Sequence, residues 1–584
     1  MIRIQDKYLN FGFKITFMDY IEKNLDYGRD TIVINPKDLS RGHISLKTAF
    51  TMKGNPKENA EKLKKEVEKN KMVEKVSTAG PYVNVWMKDE FYMDYLKWEF
   101  NSKNKKRVLI EFVSANPNKP LHLGHLRNMV LGESISRIYE FLGYDVVRMN
   151  YINDMGLQFA QIVWDLNKNP YKVDEKFDFY LGKKYIDIAK KFEDEQVKKE
   201  VEQILKEIEK GRNEISKKAR EIADDCVRAH YETMSKLNIH HNYAPYESDV
   251  IHHLFGEGME KIKHLPNVYV GKEEFEGCYV VNLEGNEFKN NRNTETVLIR
   301  SNGVPTYAGK DIIFHMWKLG MLKNELPFKK WFTQSNKIDL EYSCDGGKLK
   351  APKSDIIVNI IGREQDLEQK VVKYVLSKID EDIVDNYHHL SYGLVSLSQG
   401  KKFSGREGTW IGYSVDDVFE EGLKRAKENG ENAEKIVVGA LNYSLLKYAP
   451  QKDIEFDWDR ALQFEGDSSP YIQYAYVRCM GILRKIDKKS EIKGTYKFND
   501  EEILILNNLM EFESVADKAA HSFKPNELVN YMLNLVSVFN RFYDNCRIID
   551  EGKINPVRLK IVEKTVHVLG TTMGLCGIPK IEKM

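Results

Sequence analysis

Glu111-Phe112-Val113-Ser114-Ala115-Asn116-Pro117-Asn118-Lys119-Pro120-Leu121-His122-Leu123-Gly124-His125-Leu126-Arg127-Asn128 crowds more reactive side chains around one turn than any other part of the chain. Ahead of it Val108, Leu109 and Ile110 form a β-prone run, which the Asn-Pro and Lys-Pro dipeptides break. Beyond Leu121 the apolar residues Leu126, Val130, Ile135, Ile138 and Leu142 recur at helical spacing until Gly143. The pattern is strand, loop, helix, with the helix beginning near His122. A helix start carries free N–H groups and the positive end of the helix dipole, so an anion, phosphate above all, is its natural ligand. His122 and His125 share that first turn, and Gly124 between them leaves room for a base or ribose against the backbone. On spacing alone, a surface or core pair of histidines is the commoner reading. A zinc site is disfavoured, because metal-binding histidine pairs on helices prefer four-residue spacing and no cysteine is near.

The flanks supply more. His122-Leu123-Gly124-His125, with Asn116-Pro117 before it and Leu126-Arg127-Asn128 after it, resembles the His-Ile-Gly-His signature of class I aminoacyl-tRNA synthetases. Glu111-Phe112, Ser114-Ala115-Asn116-Pro117, Lys119-Pro120 and the run from Arg148 to Phe159 (Arg-Met-Asn-Tyr-Ile-Asn-Asp-Met-Gly-Leu-Gln-Phe) resemble the arginyl-tRNA synthetase family in particular. The likeness continues along most of the chain. It implies an α/β fold: a Rossmann-type doubly wound parallel sheet as catalytic domain, an N-terminal α+β appendage and a C-terminal all-α helical bundle.

Composition bounds the rest. At 584 residues the chain is too long for one core and should divide into about three or four domains. Its 89 Lys+Arg balance 88 Asp+Glu, so contact with RNA has to come from local basic patches. The six cysteines are scattered with no Cys-x-x-Cys pair, which argues for a reducing compartment and against a bound structural metal. No signal peptide opens the chain and no apolar run of about 18 residues occurs, so a soluble, cytoplasmic protein is expected.

Residues 1–98 read as the appendage, with helical spacing from Asn59 to Lys71 and strand alternation at Tyr82-Val83-Asn84-Val85-Trp86. In the family this unit binds the corner of tRNA, and the resemblance makes Asn84 a base contact; a solvent-facing strand position is the alternative. Asn101 to Lys106 is a polar linker. The catalytic domain covers 100–405, interrupted at about 168–236 by a charge-dense helical insertion that reads as a solvated hairpin without chemistry.

Tyr243 to Ser248 and Val297 to Ile312 resemble the family's amino-acid pocket. An arginine substrate offers a planar cation with five N–H donors, read best by carboxylates in its plane. Glu247, Asp311 and the Tyr307 hydroxyl fit that task, whereas lysine could not satisfy the same fork. Without the resemblance, Asp311 could equally cap a helix from Ile312 to Leu319. The family's positions for the α-ammonium fall on Glu111, Asn116 and Gln365; Ile356 to Ile361 reads as a buried parallel strand that ends just before Gln365, where a helix cap is the other reading.

Gly393 to Thr409 stands where class I enzymes carry the Lys-Met-Ser-Lys-Ser loop over the ATP phosphates. Aligned on it, Lys402-Phe403-Ser404-Gly405-Arg406 keeps the first lysine and the serine but has glycine for the catalytic second lysine. A cation is still needed there. The resemblance implies that Lys119 substitutes, with His122, His125 and Lys402 as its catalytic companions. Gly124, Asn128, Lys402, Ser404 and Arg406 are then the ATP contacts.

From 410 to 584 the pattern is helical, notably Ile436 to Leu446, Ile503 to Phe523 and Leu528 to Tyr543. Phe464 to Arg478 resembles the opening of the family's anticodon-binding bundle, and its Tyr474, Tyr476 and Arg478 suit unstacked bases, although such a stripe also suits a core. The terminal Gly574 to Ile578 should lie near the anticodon loop. The function implied is activation of L-arginine by Mg²⁺–ATP and transfer to tRNA(Arg), by a monomer with no membrane association and no bound metal of its own; activation should need tRNA to be present. A coenzyme-forming nucleotidyltransferase shares the first motif but not the outer domains, and a noncatalytic RNA binder keeps those domains and loses the ATP residues.

Overall fold

Val108, Leu109 and Ile110 lie inside the largest sheet and are fully or almost fully buried. The computed structural model describes residues 21–22, 25, 27–28, 31–35, 38–100, 104–169, 173–284, 288, 294–397, 413–486, 492 and 494–583. In the appendage β1 (Ile32–Ile34), β2 (Ile44–Leu46), β3 (Val73–Ala79) and β4 (Tyr82–Met87) form an antiparallel sheet in the order β1-β2-β4-β3, backed by α1 (Pro56–Val67). The sequence spacing carries α1 on to Lys71, but the helix stops at Val67. Asn70 ends it, its side chain accepting from Met72 N at 2.9 Å and turning the chain into β3. α2 (Asp89–Lys97) then leads to the linker.

The catalytic part runs through β5 (Arg107–Glu111), α3 (Leu123–Phe141), β6 (Asp145–Met149), α4 (Leu157–Lys168), α5 (Phe177–Lys191), α6 (Glu195–Lys210) and α7 (Glu214–Lys236). β7 (Tyr243–Ala244) and α8 (Glu247–Lys263) follow, then a small antiparallel sheet of β8 (Val268–Val270), β9 (Tyr279–Asn282) and β10 (Glu295–Ile299). α9 (Tyr307–Lys318), β11 (Pro327–Thr333), β12 (Asp339–Ser343), β13 (Leu349–Lys350), β14 (Ile356–Gly362), α10 (Asp366–Ile379) and β15 (Tyr387–Tyr392) complete it. The large sheet has the order β13-β11-β12-β7-β6-β5-β14-β15, and every pairing from β12 to β15 is parallel. Succession reverses at β5: β6 and β7 are added on one side, β14 and β15 on the other. The crevice between the C-terminal ends of β5 and β14 is therefore a topological switch point, where open α/β sheets hold their ligands.

Two features depart from the sequence reading. The insertion is not a solvated hairpin, because α7 buries Ala219, Ile222, Ala223, Cys226, Val227 and His230 against the catalytic core; the amphipathic charge pattern belongs to α6, which buries only Val201 and Ile208. The terminal Gly574 meets the catalytic part, its carbonyl accepting from Arg137 of α3 at 3.0 Å, while the Gly577 carbonyl accepts from Asn442, beyond that part, at 2.5 Å.

β16 (Val395–Leu397), α11 (Val415–Arg425), α12 (Ala433–Leu446) and β17 (Ile454–Phe456) join the sheet to a bundle of α13 (Ser469–Arg484), α14 (Asp500–Ser522), α15 (Asn526–Asn545) and α16 (Pro556–Leu575). Arg127 of α3 is completely buried and makes the joint rigid, donating to the carbonyls of Gly393 (2.8 Å), Lys452 (2.6 Å) and Ala449 (3.2 Å). The appendage closes on the bundle through Tyr92 to Asn507 (3.3 Å), Trp98 to Glu513 (3.3 Å) and Asn507 to Asn35 O (2.9 Å). No helix among the described residues is long and apolar enough to cross a membrane, and all six cysteines are free thiols.

Candidate active site

The first turn of α3 forms as its sequence predicts. His122 is the N-cap, its Nδ1 accepting from Gly124 N at 3.1 Å, and His125 Nδ1 accepts in return from His122 N at 3.2 Å. The rings stack 3.8 Å apart. Burial and the nearby Lys119 hold the His122 imidazole down at about 3, and burial holds His125 well below the ordinary histidine range, so both rings are neutral at physiological pH. A neutral ring whose Nδ1 accepts carries its proton on Nε2, so the pair provides hydrogen-bond donors without a charge. The cation is Lys119, half-buried and forming no ion pair among the described residues; burial lowers its pKa as well. Gly124 has a second role here: a Cβ on it would lie 3.0 Å from the His122 ring, so the glycine lets that ring fold back as a cap.

Val113 and Ser114, just past β5, adopt φ of 75° and 44°, a left-handed pair that is costly for a β-branched valine. Asn128 holds it, its Oδ1 accepting from Val113 N at 2.5 Å while its Nδ2 donates to Ile360 O at 2.8 Å. Expected as an ATP contact, Asn128 instead spends both ends of its amide on tying the two walls of the crevice together.

Between those walls lies a cavity of about 140 Å³ lined by Glu111, Tyr151, Asn153, Tyr307, Asp311 and Asn359, among others. Asp311 does not cap a helix, because α9 starts a turn earlier with Thr306 as its N-cap. Tyr307, Asp311, His315 and Lys318 therefore recur on one face of α9. Lys318, fully buried, forms an ion pair with the buried Glu111, and Lys310 pairs with Glu247 at 2.5 Å. Asp311 has no such cation among the described residues. It accepts only from Gln369 Nε2, at 2.9 Å, and burial, reinforced by Glu111, pushes its carboxyl up to about 7. Three buried polar atoms on the cavity wall, Tyr151 Oη, Asn153 Oδ1 and Asn359 Oδ1, have no hydrogen-bond partner among the described residues. All three can accept, so the cavity is suited to a ligand rich in N–H donors and carrying positive charge.

Sequence reasoning missed Lys318, His315 and Gln369, which with Asn359 link Glu111 to Asp311 through buried contacts of 2.9–3.3 Å beyond the ion pair. The signal was available: His315 and Lys318 stand four and seven residues after Asp311, and Gln369 one helical turn after Gln365. Gln365 itself is half-buried in the turn before α10, with no capping bond, and Asn116 is exposed; neither lines the cavity. Lys402, Ser404 and Arg406 lie outside the described residues. Asn84 is neither a surface contact nor solvent-facing: it is 6% exposed on an inner strand, and its Oδ1 accepts from Ser45 at 2.9 Å. On α13 Tyr474 is exposed, Tyr476 is half-buried, and Arg478 lies 4.1 Å over the Tyr543 ring.

Gly309 sets how closely α9 approaches β10. A Cβ there would come within 2.3 Å of the Leu298 carbonyl oxygen. Gly309→Ala must push back the turn that carries Tyr307 and Asp311, so we expect a loss of about 1–3 kcal/mol in denaturant unfolding and a several-fold rise in the KM for the amino acid.

Comparison with known proteins agrees with this geometry. Residues 90–326 match the family described as tRNA synthetases class I (R), catalytic domain; residues 472–584 match the DALR anticodon binding domain, and residues 16–87 the arginyl tRNA synthetase N terminal domain. An arginine–tRNA ligase of Thermococcus sibiricus is 35% identical over 573 residues, covering 88% of each chain, and one of Thermococcus kodakarensis is 35% identical, covering 93% of this chain and 92% of its own. The solved Thermus thermophilus arginyl-tRNA synthetase superposes with a TM-score of 0.84 at 29% identity, covering 95% and 96% of the two chains. The doubly wound sheet with histidines at its first helix start defines a class I catalytic domain, and the chain belongs to the arginyl-tRNA synthetase family. Its reaction is the ligation of arginine to tRNA.

Proposed function

We propose that the cavity at the switch point is the arginine subsite and the start of α3 the triphosphate subsite of one two-step reaction. The carrying observation is Asp311: of the cavity's carboxylates Glu111 and Asp311, with Glu247 close by, it is the one that forms no ion pair among the described residues. A guanidinium supplies the missing charge and offers donors to the three orphaned acceptors. Asp311 and the Tyr307 hydroxyl read it, with Glu247 behind them, while Glu111 takes the α-ammonium; Asn116 and Gln365, two and three residues from the cavity-lining Ser114 and Gly362, close over that end.

In the first step the arginine carboxylate attacks the α-phosphate of ATP, which arrives with Mg²⁺ as a substrate complex, and pyrophosphate leaves. Lys119 and the His122 and His125 N–H donors stabilise the charge building on the phosphates, with Lys402, Ser404 and Arg406 as further ATP contacts. In the second step a terminal ribose hydroxyl of tRNA(Arg) takes the arginyl group and AMP leaves. Neither step needs a protein nucleophile, so the protein's contribution is position and field. The appendage and the bundle, with Tyr474, Tyr476 and Arg478 on its first helix, hold the tRNA. The protein works as a monomer in the cytoplasm, where free thiols such as its own persist.

The test is the pH profile of arginine-dependent pyrophosphate exchange, run with tRNA present. Only the ionised Asp311 attracts guanidinium, so kcat/KM for arginine should rise about tenfold per pH unit up to about pH 7 and then level off, with lysine inactive throughout. The histidines, already neutral, add no break in this range. Asp154, held at about 6 by burial, is distinguished by its lower midpoint. A flat profile, or one unchanged in Asp311→Asn, removes Asp311 from arginine recognition.

A further inference from the structure

The helix α7, read from the sequence as solvated surface, reaches the phosphate end of the crevice. His230 is 3% exposed, and its Nε2 lies 2.8 Å from the backbone carbonyl oxygen of Lys119. Burial keeps this imidazole neutral, so its Nε2–H donates to that carbonyl. Pro120 follows Lys119 and contributes no N–H to the loop. Cys226, one turn earlier on α7, is buried beside the same imidazole, its Sγ 3.7 Å from Nε2. Further along the same helix, Thr233 and Lys236 bind the Asp416 carboxylate at 2.7 and 2.8 Å, and Lys176 reaches it at 2.9 Å. Asp416 lies in the first turn of α11, where Val415 N donates to Leu121 O at 2.8 Å and Ser414 bridges to His122. One rigid helix is thus fastened on both sides of the segment from Lys119 to His122.

We infer that His230 is a positioning residue for the Lys119 cation: by fixing the Lys119 carbonyl it determines where that side chain leaves the loop, and so where the ammonium meets the triphosphate. The inference rests on the proposed phosphate role of Lys119. A lysine has four rotatable bonds beyond its backbone, and a shift of about 1 Å at the root is enough to spoil a charge placed for a transition state. The helical insertion then has a task, as the fixed frame against which the phosphate loop is set.

The test uses the two amide stand-ins for imidazole in the full-length protein. Glutamine places its N–H where Nε2 stands, whereas asparagine falls short of it. In pyrophosphate exchange with saturating tRNA, His230→Asn should lower kcat/KM for ATP about tenfold and leave the arginine KM within about twofold, while His230→Gln recovers most of the loss. In a Lys119→Ala background, His230→Asn should add less than about a further twofold, because the group it positions is gone. Thermal unfolding checks that each variant folds; if the asparagine variant does not, His230→Ser is read in the same way. Equal losses toward ATP and arginine, or a full tenfold effect in the Lys119→Ala background, would show a merely structural role and overturn the inference. Wild-type ATP kinetics in His230→Asn, with Lys119→Ala strongly impaired, overturns it alone. Wild-type ATP kinetics in Lys119→Ala itself removes the phosphate role of Lys119 and this inference with it.

Discussion

Asp311→Asn raises the arginine KM by about 10²–10³-fold and leaves the KM for ATP within about threefold, measured by pyrophosphate exchange with tRNA present. The effect is large because of where the charges already are. Glu111 and Glu247 each hold a lysine, so removing either carboxylate also frees a buried cation and disturbs more than recognition. Asp311 has only the Gln369 amide, which an asparagine oxygen accepts equally well. The substitution keeps the shape and removes the one charge that the substrate complements. A second readout separates recognition from folding. Because burial raises the folded-state pKa of Asp311 to about 7 from its ordinary 3.8, the folded protein binds a proton that the unfolded chain has released. Folding is therefore penalised increasingly as pH rises through that interval, and the full penalty remains above it. The unliganded asparagine variant should then unfold at a higher temperature than the wild type at about pH 8, and the gap should close near about pH 4. Loss of affinity with gain of stability is the mark of a charge kept for a ligand. A change in arginine KM below about fivefold would transfer guanidinium reading to Glu247.

How far the sequence could be read depended on whether a residue's task was local. The strand, loop and helix around His122 follow from β-prone residues, two Pro breaks and a helical repeat, all within about forty positions, and the cap geometry agrees with them. Tyr307 and Asp311, which came from the family resemblance, stand one turn apart on one helix and both line the cavity. Lys318 was not legible, because its meaning lies in Glu111, 207 positions away and brought close only when β5 settles in the middle of the sheet. Asn128 misled because an amide beside a nucleotide motif fits a ligand as readily as it fits a strained turn, and only the left-handed Val113–Ser114 pair distinguishes them. Asn84 misled by alternation: a strand with one wet face puts every second residue in solvent, but β4 is an inner strand, and its neighbour β2 brings Ser45 against Asn84 and buries it. The insertion misled by composition. Both α6 and α7 are dense in charge, and the apolar positions of α7 that reach the core are diluted among its Glu, Asp, Lys and Arg.

Lys119→Ala lowers kcat for pyrophosphate exchange by about 10²–10³-fold, and arginine binding changes little. In the signature-like loop Gly405 occupies the place of the catalytic lysine, so the triphosphate lacks one of the cations that class I chemistry uses. The start of α3 offers N–H dipoles and two histidines, but both rings are neutral, so they orient phosphate oxygens without balancing their charge. Lys119 is the cation beside them. It sits half-buried, where an ammonium interacts more strongly with phosphate than it does in water, and the incoming anion offsets the desolvation that lowers its pKa. Lys119→Arg should recover only part of the rate, since a guanidinium is longer and planar where the loop provides for a compact charge. Substitution at Lys402 separates the two sides of the triphosphate: if Lys119 carries the main load, Lys402→Ala costs less than Lys119→Ala, and the double variant costs less than the product of the two, because both act on one developing charge. If exchange survives Lys119→Ala but not Lys402→Ala, the load lies on the loop instead, and the lysine before the histidines is there only to attract ATP.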